Sequence, residues 1–193
     1  MDNVIQPVLE KKLINLIAYS DVYAKTVFMK ELITESNNKI IYLDFDLLFS
    51  GYIYSNIISK SENLYLFQVQ KQTWENILQQ TLLEISSNRS IVIIDSINVF
   101  YNLFREHSDV GRFINTSIML LVNSAKISNS VILVNAFVPS REKIHEEMPN
   151  YIIETEILSK FFLNMKNSLL TVSTHSKDLP EKILEIEIHS ELI

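Results

Sequence analysis

Short runs of apolar, largely β-branched residues recur along the chain, alternating with segments whose apolar residues return at helical spacing. The runs LINLIAY (13–19), KIIYLDF (39–45), NLYLFQV (63–69), SIVIIDS (90–96) and SVILVNAF (130–137) read as buried strands of a largely parallel sheet. Between them, 26–36, 73–87 and 111–127 carry the helical pattern, with Thr73 placed to cap the second of these. Strand–helix alternation of this kind predicts an α/β fold with helices on both faces of the sheet. The tail differs. SLLTVSTHS (168–176) and KILEIEIHS (182–190), separated by KDLP, predict an antiparallel hairpin that closes the sheet edge. The apolar stretch 151–165 reads either as an internal helix or as an interaction surface. No linker, repeat or low-complexity tract divides residues 1–193, so a single domain is expected.

Composition narrows the function classes. The net charge of -6 argues against wrapping nucleic acid through bulk charge, while leaving room for a local basic patch. With no cysteine, disulfides and thiolate metal sites are excluded. No apolar run reaches the length of a membrane span and no signal peptide is visible, so a cytoplasmic protein without membrane contact is expected. The chain has only two glycines, Gly51 and Gly111. Average usage is about 7%, and glycine is the residue from which phosphate-binding loops are built.

That scarcity bears on the first strand–helix junction, where Lys25–Thr26 follows LINLIAY. In a GxxxxGK[ST] loop, successive backbone N–H groups surround the phosphates, the lysine adds charge and the hydroxyl binds magnesium. Aligned on Lys25–Thr26, the two glycine positions hold Tyr19 and Ala24. The lysine and hydroxyl survive, but the backbone freedom does not. The plain alternative is that Thr26 caps or begins a helix and Lys25 is solvated. Asp95, at the end of SIVIIDS, stands where a parallel strand presents a carboxylate to a ligand, or else caps the following turn. Asp44 and Asp46 end the second strand at alternate positions. Asp46 is a candidate catalytic base, and a solvated strand end is its alternative. His175 and His189 lack partner carboxylates at metal-ligand spacing.

In this order, these features resemble the RecA/RadA recombinase superfamily, and most of all the ATPase core of archaeal RadA and its paralogs. YLDFDLLF stands where the family has YIDTEGTF, ENLYLFQV where it has DNIYVARA, IVIIDSIN where it has LLIVDSLT, and VILVNAF where it has VFVTNQV. The resemblance implies a RecA-like three-layer core. It implies a nucleotide site remnant at Lys25, Thr26, Asp95 and Ser96, with Asp46 in the place of the catalytic glutamate and magnesium, if any, at Thr26 and Asp95. The departures are the lost glycines, the shortened base, and Ala136 in place of the nucleotide-sensing glutamine. Nothing upstream of residue 13 matches the family's DNA-binding domain. The implied reading is an accessory protein of recombinational DNA repair with a degenerate phosphate loop, no effective ATPase activity and no cofactor. Its partner would be a RadA-type recombinase or another paralog, in a homo- or hetero-oligomer. Single-stranded DNA, if bound, would be met by Arg105, His107 and Arg112 beside Phe100, Tyr101 and Phe104, and by Arg141, Lys143 and His145. Glu106, Asp109, Glu142, Glu146 and Glu147 dilute both patches, and mixed-charge surface loops are the favoured alternative. An active ATPase of the RadA/KaiC type binding Mg-ATP, and a regulatory module on the same fold, are the alternatives.

Overall fold

The computed structural model describes residues 5–139, 156–174 and 182–187. In chain order the elements are α1 (Gln6–Leu9), β1 (Ile14–Tyr19), α2 (Val22–Glu35), β2 (Lys39–Asp44), α3 (Leu48–Tyr54), β3 (Leu64–Gln68) and α4 (Trp74–Ser87). They continue with β4 (Ser90–Asp95), α5 (Ile97–Leu103), α6 (Val110–Ser128), β5 (Val131–Phe137), β6 (Leu158–Lys166), β7 (Leu169–Thr174) and β8 (Lys182–Glu187). The strands form one sheet in the order β3-β2-β4-β5-β1-β6-β7-β8. Every neighbouring pair from β3 to β6 is parallel, and β6–β7 and β7–β8 are antiparallel. This is the expected α/β architecture with its antiparallel tail.

The apolar runs are continuous because both sides of the sheet are covered. In β4, Ile91 and Ile93 join Val27, Phe28, Leu32, Tyr42 and Phe49 on one face. Val92 and Ile94 join Trp74, Ile85, Phe100, Ile114, Ile118 and Leu121 on the other. An alternating polar face would leave one of these two helix layers without a partner.

Three boundaries depart from the sequence reading. Helix α2 begins at Val22, four residues before the expected start, because Asp21 caps it by accepting a hydrogen bond from Tyr23 N at 2.8 Å. Thr73 precedes α4 as expected, but its hydroxyl is turned to Gln70 instead of capping the helix. Residues 158–165 of the stretch read as a helix or surface belong to strand β6 beside β1, which buries Phe161, Phe162 and Leu163. Residues 151–155, like His175 and His189, lie outside the described residues.

Helix α6 ends on Asn129, whose φ of 55° lies in the left-handed region and whose N–H is given to Ala125 O. Glycine and asparagine enter that region at little cost and alanine does not. Asn129→Ala is therefore expected to lower stability by about 1 kcal/mol, with Asn129→Gly close to neutral. Urea unfolding of the two variants checks this.

Candidate functional site

The carboxyl ends of β1, β2, β4 and β5 converge on a buried polar cluster centred on Lys25. Only Ser20 and Asp21 separate β1 from α2, so residues 22–24 are helical and Lys25 projects from the first turn of α2. Its side chain is 1% exposed. Nζ lies 2.8 Å from Asp95 Oδ2 and 3.4 Å from Asp46 Oδ2, and 5.6 Å from the Tyr19 ring centroid. Thr26 is mid-turn rather than terminal, and its hydroxyl donates to Val22 O at 2.9 Å. Both family glycine positions are filled by buried side chains, Tyr19 and Ala24. The two glycines of the chain lie elsewhere, Gly51 in α3 and Gly111 in α6.

The carboxylates are positioned by backbone donors. Asp44, fully buried at the end of β2, accepts from Ser50 N at 2.7 Å, and Asp46 accepts from Leu48 N at 2.9 Å. Both thus tie down the first turns of α3, and Leu47 between Asp46 and the helix takes a φ of 62°. Both reach the mouth of the sheet: one ligand atom from each of Asp44, Asp46 and Asp95 lies within 4.8 Å of the others. Tyr42 donates its hydroxyl to Asp95 Oδ2. Ser96, buried beside Asp95 across a cis peptide bond, hydrogen-bonds the Tyr19 hydroxyl.

Charge follows from this geometry. Burial alone would discharge Lys25, but Asp95, Tyr19 and Asp46 outweigh it and hold the ammonium well above its ordinary pKa. Burial raises Asp95 while Lys25 opposes, and the net direction is upward. Burial also lifts the Tyr19 phenol to about 12. Asp44 is pushed up to about 7, first by burial and then by Asp46, against the lowering effect of Ser50. Asp46 and Asp95 thus share one ammonium, with the carboxyl of Asp44 close by. A divalent cation placed among these carboxylates would compete with the Lys25 ammonium for the same oxygens.

Around the cluster sit residues that sequence reasoning undervalued. Asn135 is fully buried on β5, and neither of its amide atoms finds a partner among the described residues. Asn98 on α5 clasps β5 by accepting from Phe137 N and donating to Phe137 O, at 2.8 and 3.2 Å. Tyr42 was legible in principle, since it shares a strand face with Asp44 two positions on.

The first expected DNA-contact segment is divided by the fold. Arg105, His107 and Arg112 are exposed. Glu106 pairs with Lys71 at 2.6 Å, and Arg112 lies 3.6 Å from Asp109. Phe100 and Phe104 are not available to stack on bases. They are buried in an aromatic cluster with Phe45, Trp74 and Phe113, against which His107 stacks. Apolar rings beside a strand end gain more from that core than from solvent. Arg141, Lys143 and His145 lie outside the described residues.

A twisted, largely parallel sheet sandwiched by helices, with Lys25, Asp46 and Asp95 at its carboxyl ends, has the architecture of a RecA-like ATPase core. Among solved structures, the chain is similar to the RadB recombinase, with a TM-score of 0.57 at 15% identity over 90% of this chain and 86% of that one. It is also similar to the ATPase domain of another protein, with a TM-score of 0.60 at 12% identity over 98% of this chain and 88% of that one. No family model matches the chain, and no curated protein matches it. Among the described residues, no helix is long and apolar enough to cross a membrane.

Two outcomes follow for the cluster. Lys25→Met leaves Asp95 buried without its counter-charge, and is expected to cost about 3–5 kcal/mol, read as a lowered urea midpoint. For pH, the unfolded chain holds the Asp44 proton to about 3.8 and the folded chain to about 7, so between those values folding takes up proton. This contribution to stability is greatest at the acid end and is lost as pH rises through about 7. Asp44→Asn should flatten that slope in urea titrations across the window.

Proposed function

We propose that this chain is a recombinase-fold accessory protein of recombinational DNA repair that no longer turns over nucleotide and acts through protein contacts. The observation that carries the reading is the state of Lys25. Its ammonium is buried and engaged by Asp95 and Asp46, on a helix that starts two residues after the strand. A phosphate loop needs several consecutive backbone N–H groups free to curl around an anion. Here that length of chain is an added helical turn, capped by Asp21.

Mg-ATP fits this arrangement poorly. Thr26, the expected magnesium ligand, gives its hydroxyl to Val22 O, and Asp95 is shared between Lys25 and Tyr42. Seating a triphosphate would require unwinding the first turn of α2 and breaking a buried ion pair. The recombination context rests on the sequence resemblance and on the fold shared with a recombinase at low identity. On this reading the partner is a RadA-type recombinase or a paralog, and single-stranded DNA contact is secondary, through Arg105, Arg112, Arg141 and Lys143.

Retention of Lys25, Thr26 and Asp95 at the sheet's mouth supports the rival reading, a working ATPase, so the test is chosen to separate them. Calorimetric titration with ATP and magnesium is expected to give no binding heat for the wild-type chain. Micromolar binding that disappears in Thr26→Ala, a variant that leaves the Lys25 ion pair in place, would establish the ATPase instead. The partner is tested separately, by affinity capture from a lysate. Recovery of a recombinase supports the accessory role, and recovery of no recombination protein favours a regulatory module.

A further inference from the structure

Two buried side chains on adjacent strands carry polar atoms that no described residue engages. Asp95 receives Lys25 Nζ and the Tyr42 hydroxyl on the same oxygen, Oδ2, and its Oδ1 has no partner among the described residues. Asn135, on β5, has neither Oδ1 nor Nδ2 paired. Both residues are 0% exposed. At that depth each unpaired group penalises the folded state unless something else bonds it.

The register brings these atoms together. Ile94 pairs with Val134, so Asp95 and Asn135, one residue further along each strand, stand side by side. Neighbouring strands lie about 4.8 Å apart. The two side chains also share a face. Ile91 and Ile93 of β4, and Val131 and Leu133 of β5, pack with Ala24, Val27 and Phe28 of α2. Alternation along each strand puts Asp95 and Asn135 on that same side. On its other flank Asn135 is paired with Ile17 of β1, whose side chain has no polar atom. In that row across the sheet the amide has Asp95 as its polar neighbour, and the two do not bond each other.

The unpaired set specifies its complement. Asn135 offers a donor at Nδ2 and an acceptor at Oδ1, and Asp95 Oδ1 is a second acceptor. The matching ligand has O–H or N–H donors for two acceptors and a lone pair for one donor. A metal cation has nothing to give Nδ2, and an anion is repelled by Asp95. Water supplies two donors and accepts in return. A water at about 2.8 Å from each of two polar atoms also spans a gap too wide for a direct bond. Turning the amide over exchanges Oδ1 with Nδ2 and leaves the set unchanged.

We propose that a buried water bridges Asn135 to Asp95 Oδ1 and is part of the folded protein. It accepts from the amide and donates to the carboxylate. Asp95 is then held by both oxygens, through Lys25 and Tyr42 on Oδ2 and through Asn135 on Oδ1. The bridge fastens β5 to the Lys25 cluster, which the direct side-chain bonds join only to α2, β2 and β4. It uses the oxygen of Asp95 that Lys25 leaves free, and a chain that bound Mg-ATP would hold it as well, so it does not rest on the proposed function.

Two measurements on the full chain test this. A high-resolution crystal structure of the wild type is expected to show a solvent peak within hydrogen-bonding distance of both the Asn135 amide and Asp95 Oδ1. A direct bond between the two side chains, a metal ion in that place, or no peak overturns the proposal. The second measurement reads a sign. Asn135→Leu replaces the amide by an apolar group of similar branching. With the water in place, the variant expels it and strands Asp95 Oδ1, so the urea midpoint is expected to fall. If the amide is simply unpaired, its removal raises the midpoint, and that rise overturns the proposal. The crystallographic result decides the matter even where the variant does not fold.

Discussion

The site rests on one buried ion pair. Lys25 and Asp95 come from elements far apart in sequence and meet at 2.8 Å with almost no solvent between them. Each would be intolerable alone at that depth, since an unpaired charge costs several kcal/mol to bury. Once paired they fix α2 against β4, and Asp46 draws the end of β2 into the same contact. Tyr42 supplies a hydroxyl to the carboxylate, and Tyr19 lays its ring near the ammonium. The carboxyl ends of β2 and β4 are thus joined to α2 through these side chains.

This arrangement sets a trade between holding and binding. Charges preorganised towards a ligand must remain unsatisfied by the protein itself, and that is a cost to the folded state. Here the charges satisfy each other, and the cost falls on Asn135, buried nearby with no partner among the described residues, and on Asp44, whose carboxyl is pushed up to about 7 by burial. The cluster brings three carboxylates together around one ammonium, so its electrostatics carry an excess of acid.

Much of the sheet was legible in the sequence, because a strand buried on both faces reads as an unbroken apolar run, and SIVIIDS and SVILVNAF fall on β4 and β5 within a residue. Strand β6 was not, since LSKFFLNMK contains no β-branched residue and does not alternate. The site residues Lys25, Asp46 and Asp95 were also legible, but their mutual engagement was not. It depends on α2 starting at Val22 behind the Asp21 cap, which competes with the loop that the Lys-Thr pair suggests. The rings of Phe100 and Phe104 illustrate the same limit. Their spacing beside basic residues suits base stacking equally well, and it is the proximity of Phe45, Trp74 and Phe113, from other elements, that draws them inward.

The place of β1 in the sheet has a consequence for how the chain is made. Ile14 pairs with Ile132 on one side and with Leu158 on the other, so β1 is synthesised well before either of its neighbours in the sheet. Until those segments emerge, an apolar ribbon with two open edges must wait, and closing such distant contacts is slow. During synthesis that interval is when the nascent chain most needs a chaperone's cover.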